Sequence, residues 1–280
     1  MTVHVIGASG RSGAALCRSL LADGVPFVPV VRDPARWAAT GLPGEALVAD
    51  LEASGLAEAL AGAERIASCA HARHIRAILA AAPSKARFAF LGSTRKFTRW
   101  PDSHGNGVLA GERAFLSSER PGVLLHPTMI YGAEGENNVQ RLAALLRRLP
   151  AVPLPGGGRA LVQPIHQSDV TRSMRAALER DWSGPRALVI AGPEAVSYAA
   201  FVRAVARAAG LREPTIVNVP AAVLFALAPL TALPFLPRVR PDEIRRLLED
   251  KAFSIGEMRS RLGIDPIPLA AGLARTFGRN

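Results

Sequence analysis

Three glycines near the start of the chain have the spacing of a loop that binds phosphate groups. Gly7, Gly10 and Gly13 follow a short β-rich run, Val3–Ile6, and precede a stretch with helical periodicity. In such a strand–loop–helix unit the first glycine allows a tight turn and the second lets the backbone approach a pyrophosphate. The third lets the helix pack closely on the strand, and the helix N-terminus faces the phosphates. This segment predicts nucleotide binding. The loop is completed by Ser9, Arg11 and Ser12.

The end of the second predicted strand indicates which nucleotide is bound. A carboxylate at this position binds a ribose 2′-hydroxyl, whereas an arginine accommodates a 2′-phosphate. Arg32 comes first, and Arg11 in the glycine loop can face the same pocket. Asp33 has an alternative use as the N-cap of a following helix that starts at Pro34. Two guanidinium groups at one phosphate site favour NADP as the cofactor over NAD.

These residues must be positioned by elements whose pattern is regular. Short β-rich runs alternate with amphipathic stretches, which is typical of βαβ units and a parallel sheet. The pattern predicts a doubly wound parallel-sheet Rossmann α/β fold with a smaller, mostly helical lid. The Pro/Gly cluster at 150–158 is interpreted as a break in regular structure. The Rossmann domain is predicted to comprise 1–132 and 167–192, and the lid 133–166 and 193–280. The predicted strands are Val3–Ile6, Phe27–Val31, Ala46–Val48, Arg65–Cys69, Arg87–Leu91, Gly122–His126 and Ala187–Ala191.

The order of these motifs over about residues 1–192 resembles the short-chain dehydrogenase/reductase superfamily, in its extended and atypical, epimerase/dehydratase-like branches. The resemblance implies an NAD(P)-binding fold with Asp50 and Leu51 near the adenine and the Pro127 loop near the nicotinamide. The matching segments are Gly7–Gly13, Val31–Pro34, Ala49–Leu51, Leu91–Thr94, His126–Gly132, Gly156–Gly158 and an H-x-x-D helix start at His166–Asp169.

The family's catalytic pair, Tyr-x-x-x-Lys, is absent from this chain. Its two tyrosines are Tyr131 and Tyr198, and neither has a lysine four residues later. Ser93 and Thr94 keep the position of the family's catalytic hydroxyl at the end of the fifth strand. His104 stands where the family places the tyrosine, and its near-neutral pKa suits a proton carrier. A loop residue without a catalytic role is the alternative. Ordinary tyrosine-dependent dehydrogenation is therefore predicted to be absent.

Two functional hypotheses of different classes follow. One is an NADP(H)-dependent reductase of a small or apolar carbonyl-type substrate, in which Ser93, Thr94 or His104 replaces the missing tyrosine. The alternative is a nucleotide-binding redox sensor or assembly factor without turnover, because a fold alone does not decide function. Val162 stands where sugar-nucleotide epimerases of the extended branch carry an arginine, which argues against a nucleotide sugar as substrate.

Composition excludes several other classes. Lysine and arginine exceed aspartate and glutamate by 11, which favours anionic ligands without choosing among them. The arginines are scattered without interleaved aromatic residues, so nucleic acid is not predicted as a partner. Two cysteines cannot build a disulfide framework, and no signal peptide is evident, so a cytoplasmic location is predicted. Cys69, His71 and His74 lie close in sequence but lack a second ligand cluster, so no metal site is predicted.

The run from 214 to 237 carries no charged residue and is long enough to span a bilayer. Within it Pro220, Pro229, Pro234 and Pro237 interrupt any helix of that length, so no transmembrane segment is predicted. Three interpretations remain open: a hydrophobic lid over an apolar pocket, a dimer or membrane-surface contact through 220–237, and ordinary core.

Overall fold

The computed structural model describes residues 2–53, 55–132, 138–227 and 241–278. In chain order its strands are β1 Val3–Ile6, β2 Phe27–Val31, β3 Leu47–Val48, β4 Arg65–Ser68, β5 Arg87–Leu91, β6 Gly122–Pro127, β7 Ile130–Tyr131, β8 Ala151–Pro155, β9 Leu161–Val162, β10 Ile165–His166, β11 Pro185–Ile190, β12 Val196–Ser197 and β13 Thr215–Val219. Its α-helices are α1 Arg11–Ala22, α2 Pro34–Ala38, α3 Leu56–Ala59, α4 Ile75–Ala81, α5 Ser103–Leu116, α6 Asn138–Leu146, α7 Gln167–Glu179, α8 Tyr198–Ala208, α9 Ala221–Leu227, α10 Pro241–Arg246 and α11 Leu269–Phe277.

A seven-stranded parallel sheet forms the centre of the molecule. Its strands lie in the order β11-β6-β5-β4-β1-β2-β3. Central strands such as β1 and β6 are buried along their whole length, because helices cover both faces of a parallel sheet. The order of the first six strands is that of a dinucleotide-binding Rossmann fold. The predicted fold class is confirmed, and the predicted strands differ from the observed ones by at most two residues at an end.

Helices lie on both faces of the sheet. On one face α1 and α7 pack together, and Leu16, Cys17 and Leu20 of α1 form its apolar stripe. On the other face α3, α4 and α5 enclose a second core that contains Phe88, Phe90 and other sheet residues. The two cores hold the sheet between them and leave the carboxyl ends of the parallel strands together at one edge. Ligands bind at that edge in folds of this type.

The remaining strands form three two-stranded sheets: β7 with β10, β8 with β13, and β9 with β12. The interpretation of 150–158 as a break in regular structure was wrong, since this segment contains β8. Strand β8 tolerates Pro153 and Pro155 because a strand with one partner needs hydrogen bonds on one side only. The proposed division into a Rossmann domain and a lid at the boundaries given above stays a prediction.

The uncharged run ends in a part of the chain that is outside the described residues. Its first part forms β13 and α9, and the remainder of the contact predicted through 220–237 lies beyond residue 227. Within the ranges that are described, no helix combines the length and the apolar character needed to cross a membrane.

Candidate functional site

The glycine loop presents a helix N-terminus at the carboxyl edge of the sheet. Gly10 is the N-cap residue of α1 and provides no side-chain hydrogen bond to the first turn. The N–H groups of that turn therefore point outward and can bind an anion. A Cβ atom on Gly13 would lie 2.2 Å from the Gly7 carbonyl oxygen, so only glycine lets α1 approach this closely. The Ser12 hydroxyl donates to Gln167 Oε1 at 3.1 Å and ties the loop to α7.

The two residues after β2, Arg32 and Asp33, make different contacts. Asp33 caps α2, because its Oδ1 accepts hydrogen bonds from the backbone N–H groups of Ala35 at 3.0 Å and Arg36 at 3.3 Å. The side chain of Arg32 is exposed at the end of the strand, as is that of Arg11 at the start of α1. The structure therefore engages the carboxylate in a helix cap and leaves the Arg32 side chain exposed at the end of the strand.

Asp50 and Leu51, predicted to lie near an adenine, follow β3 at the same edge. Asp50 Oδ1 accepts from the Glu52 N–H at 3.0 Å, and Leu51 packs partly into the core beneath. Burial, followed by the charge of Arg73, lowers the pKa of His74, while Glu52 and Asp50 oppose that shift. The charge of Arg32 also lowers the pKa of His74, so these charged groups lie around one region of the sheet edge.

Ser93, Thr94 and Pro127 meet at the ends of β5 and β6. The Ser93 hydroxyl accepts a hydrogen bond from the Arg95 N–H at 3.1 Å and so caps the 3₁₀ turn Thr94–Phe97. The Thr94 hydroxyl donates to the carbonyl oxygen of Pro127 at 3.1 Å. The structure thus brings together the two predicted catalytic hydroxyl residues and Pro127, which was predicted to contact the cofactor.

Beneath this turn lies a network of ionisable side chains that sequence analysis missed. Lys96 Nζ donates to both carboxylate oxygens of Glu112 at 2.6 Å, and His126 Nε2 lies 3.3 Å from Glu112 Oε2. His126 Nδ1 accepts a hydrogen bond from the Ser93 N–H at 3.3 Å. His126 is 1% exposed, and the Lys96 and Glu112 side chains are 10% and 15% exposed. In the sequence the only sign of this network is a lysine and a glutamate on two successive elements. Their contact cannot be inferred before the packing of those elements is known.

The protonation states in this network follow from its contacts. Burial alone would raise the pKa of Glu112, but the neighbouring His126 and Lys96 outweigh it and hold that pKa at about 2. Burial lowers the pKa of His126, so its imidazole is neutral near pH 7. Since Nδ1 is an acceptor, the proton must lie on Nε2, facing the carboxylate. Ser93 is therefore held by a neutral histidine whose tautomer is fixed.

His104 lies in the first turn of α5 and contacts a second histidine. Its ring centroid is 4.3 Å from that of His71, with the ring planes at 89°. Burial and the charge of Arg95 lower the pKa of His104, and Asp102 opposes the shift. In the part of the chain that the structure describes, no three His, Cys, Asp or Glu side chains are grouped so as to hold a metal ion.

Neither tyrosine is placed to replace the missing phenol. Tyr131 is 1% exposed, and its hydroxyl lies 3.5 Å from the carbonyl oxygen of Leu269 at the start of α11. Burial raises the pKa of Tyr131, and the charge of Asp169 raises it further. Burial also raises the pKa of Tyr198, on α8. Both phenols stay protonated at neutral pH, and both side chains belong to one apolar cluster with residues of α6, α8 and α11.

The H-x-x-D segment holds the C-terminal part of the chain. His166 caps α7 by accepting a hydrogen bond from the Ser168 N–H at 3.2 Å. Asp169 is fully buried, and its two oxygens accept from the Ile267 N–H at 2.9 Å and from Arg172 at 2.8 Å. The aspartate therefore anchors the segment that precedes α11.

Comparison with known proteins identifies the fold. No protein-family model and no curated protein sequence matches the chain. Three similar solved structures each align with nearly the whole chain. NADPH-dependent quinone oxidoreductase QOR2 of Escherichia coli, solved with NADPH, is 18% identical, with a TM-score of 0.76 over 99% of this chain and 100% of that one. UDP-glucose 4-epimerase of Thermotoga maritima, solved with UDP-glucose, is 14% identical, with a TM-score of 0.75 over 99% and 97%. MoeE5, solved with UDP-glucuronic acid and NAD, is 20% identical, with a TM-score of 0.74 over 98% and 97%.

The chain therefore has the dinucleotide-binding Rossmann fold that these solved structures share. Its sequence contains no Tyr-x-x-x-Lys pair, because neither Tyr131 nor Tyr198 has a lysine four residues later.

Proposed function

We propose that this protein binds NADP(H) and reduces a small or apolar carbonyl-type substrate. The cofactor assignment rests on the different contacts of two adjacent residues, Asp33 and Arg32. Asp33, the carboxylate that would select a ribose 2′-hydroxyl, is bonded to the backbone of α2. Arg32 is exposed at the same strand end and can bind a 2′-phosphate.

The described residues fit a dinucleotide along its whole length. The uncapped first turn of α1 would hold the pyrophosphate, and Asp50 with Leu51 would lie near the adenine. Pro127 and Thr94, which bond to each other, would lie at the nicotinamide end. When bound, the reduced cofactor supplies a hydride to the substrate carbon.

The proposed catalytic groups are the Ser93 and Thr94 hydroxyls and the His104 imidazole. Ser93 Oγ accepts the Arg95 N–H, so its own proton stays available for a substrate oxygen. His126 fixes the Ser93 backbone, which places that hydroxyl in advance of substrate binding. His104 would be a second donor at the start of α5.

A second candidate is a redox sensor that binds the cofactor without turnover. It is favoured by the burial of Tyr131, whose hydroxyl faces the carbonyl oxygen of Leu269. The Thr94 hydroxyl is also engaged, since it donates to Pro127. A protein of this kind would change its partner or its oligomeric state when NADPH replaces NADP.

Titration calorimetry with NADP and NAD tests the cofactor assignment. We expect tighter binding of NADP, and a loss of roughly tenfold or more in NADP affinity for Arg32→Ala with little change for NAD, as for loss of a charge-assisted hydrogen bond. Arg36→Ala is the matched control, because Arg36 is another exposed arginine a few residues away. Equal affinities for both cofactors, or an unchanged ratio in Arg32→Ala, would reject the assignment.

A turnover assay separates the two candidate functions. NADPH oxidation is followed at its absorbance band with a panel of quinones, aldehydes and ketones; quinones are included because one similar structure is a quinone oxidoreductase. Turnover that drops at least tenfold in Ser93→Ala supports the reductase. Tight NADPH binding with no turnover on any member of the panel supports the sensor.

A further inference from the structure

The order of the strands determines where an extended cofactor must pass. The phosphate-binding loop follows β1, Ser93 and Thr94 follow β5, and β4 lies between these two strands in the sheet. A dinucleotide with its phosphates at the first site and its nicotinamide at the second must cross the end of β4. The backbone there continues along β1, because the Cys69 N–H donates to the Ile6 carbonyl oxygen at 2.9 Å. His71 lies two residues further on, where such a dinucleotide would cross.

The ring nitrogens of His71 have different roles. Nδ1 accepts a hydrogen bond from the Arg73 N–H at 3.1 Å, which caps the 3₁₀ turn Ala72–His74. Burial, then the charges of His104 and Arg73, lower the pKa of His71 to about 4. The ring is therefore neutral near pH 7 and must carry its proton on Nε2. Among the described residues no hydrogen bond uses that proton, so it is available to a ligand.

Helix α5 fixes the orientation of the ring from the opposite side. A Cβ atom on Gly107 would lie 2.8 Å from His71 Cε1, so the glycine makes room for the imidazole against the helix. One turn earlier on the same helix, His104 contacts the His71 ring with a centroid distance of 4.3 Å. The histidine is thus held by its own turn on one side and by α5 on the other.

We propose that His71 Nε2 donates a hydrogen bond to a hydroxyl group of the ribose on the nicotinamide side of the cofactor, and that His104 is a positioning residue for this ring. The proposal rests on the proposed binding of NADP(H). It assigns a binding role to a residue on the turn after β4, and it gives the exposed His104 a function in binding that does not depend on proton transfer.

Two ligands of different length provide the test. NADPH spans both halves of the site, whereas adenosine 2′,5′-bisphosphate carries only the adenine-side ribose and its phosphates. His71→Asn keeps a capping oxygen for the 3₁₀ turn but removes the distal donor, and His71→Gln restores an N–H at a similar distance from the backbone. In calorimetry we expect His71→Asn to weaken NADPH binding about fivefold, the size of one neutral hydrogen bond, and to leave bisphosphate binding unchanged. We expect His71→Gln to recover most of the loss.

Imidazole resonances give a second readout that does not depend on activity. In ¹⁵N-labelled protein the His71 signals should show the Nε2–H tautomer and should shift with NADPH but not with the bisphosphate. His74→Asn is the control, since His74 is on the same turn but lies near Asp50 and Arg32. A folded His71→Asn protein that binds NADPH as tightly as the wild type would overturn the inference. A wild-type protein that binds neither ligand would instead reject the proposed function itself.

Discussion

At the scale of single residues, the charges beneath the Ser93 turn are balanced within the protein. Lys96 has Glu112 as its partner, and Glu112 also faces the neutral His126. A buried pair of this kind adds little net stability compared with apolar side chains, but losing one partner leaves the other charge buried and unpaired. The main effect of the network is therefore to hold the turn in one conformation.

Removal of the lysine alone should therefore be costly. We expect Lys96→Met to lower the free energy of unfolding by about 3 kcal/mol, because Glu112 is left without its ammonium partner. The double variant Lys96→Met/Glu112→Leu should recover much of that loss. Urea denaturation measures both. Lys85→Met is the control, since Lys85 is exposed; a double variant as unstable as the sum of its single changes would contradict this account.

The residues of the site differ in how far sequence could predict them. The glycine loop, Arg32 and Ser93-Thr94 follow strands whose apolar runs are local signals, so their positions at one edge were predictable. The contact of His71 with His104 was not, because it depends on the packing of a 3₁₀ turn against α5, far away in sequence. Single-sequence patterns carry no information about such a contact.

At the scale of elements, the glycine loop packs closely against α1. We expect Gly13→Ala to lower the free energy of unfolding by about 1–3 kcal/mol, since its Cβ would meet backbone atoms of Gly7 and Ala8 that cannot move aside. Gly184→Ala is the matched control, because nothing lies within 4 Å of its Cβ position. It should change stability by less than about 0.5 kcal/mol. Thermal or urea unfolding decides the comparison, and equal effects of the two substitutions would contradict it.

The bounds of the central strands could be predicted from the sequence. The prediction failed for a strand outside the central sheet. Strands β1, β2 and β5 are found with the predicted bounds, because buried parallel strands are continuous apolar runs. Strand β8 was missed because its prolines are typical of loops. It exists because β13 pairs along one side of it, and that partner lies about 60 residues away in the chain. Pairing over such a distance cannot be inferred from local composition.

At the scale of the whole molecule, titration of the histidines should govern stability in mild acid. All six have a pKa below the ordinary value of 6.5, and burial is the leading cause in each case. They are His4, His71, His74, His104, His126 and His166.

The unfolded chain therefore binds more protons than the folded protein as the pH falls from about 6.5 towards 4. The free energy of unfolding should decrease over this interval, and the lowered pKa values of Asp102 and Glu112 extend the decrease to lower pH. Urea denaturation at pH 7.5, 6 and 5 measures the slope. His71→Asn should make the slope shallower, since it removes a group whose pKa lies near 4. Stability that rises towards pH 5 would contradict the prediction.

The position of β6 has a consequence for the order in which the protein is made. This buried and mostly apolar strand has β5 on one side and β11 on the other, and β11 is synthesised only after the whole segment between them. Until residues 185–190 leave the ribosome, β6 is an edge strand with one row of open backbone groups. An apolar edge of this kind pairs readily with other chains. A nascent or truncated chain that ends before β11 is therefore the form of this protein most prone to aggregate, although each of its first six strands is already complete.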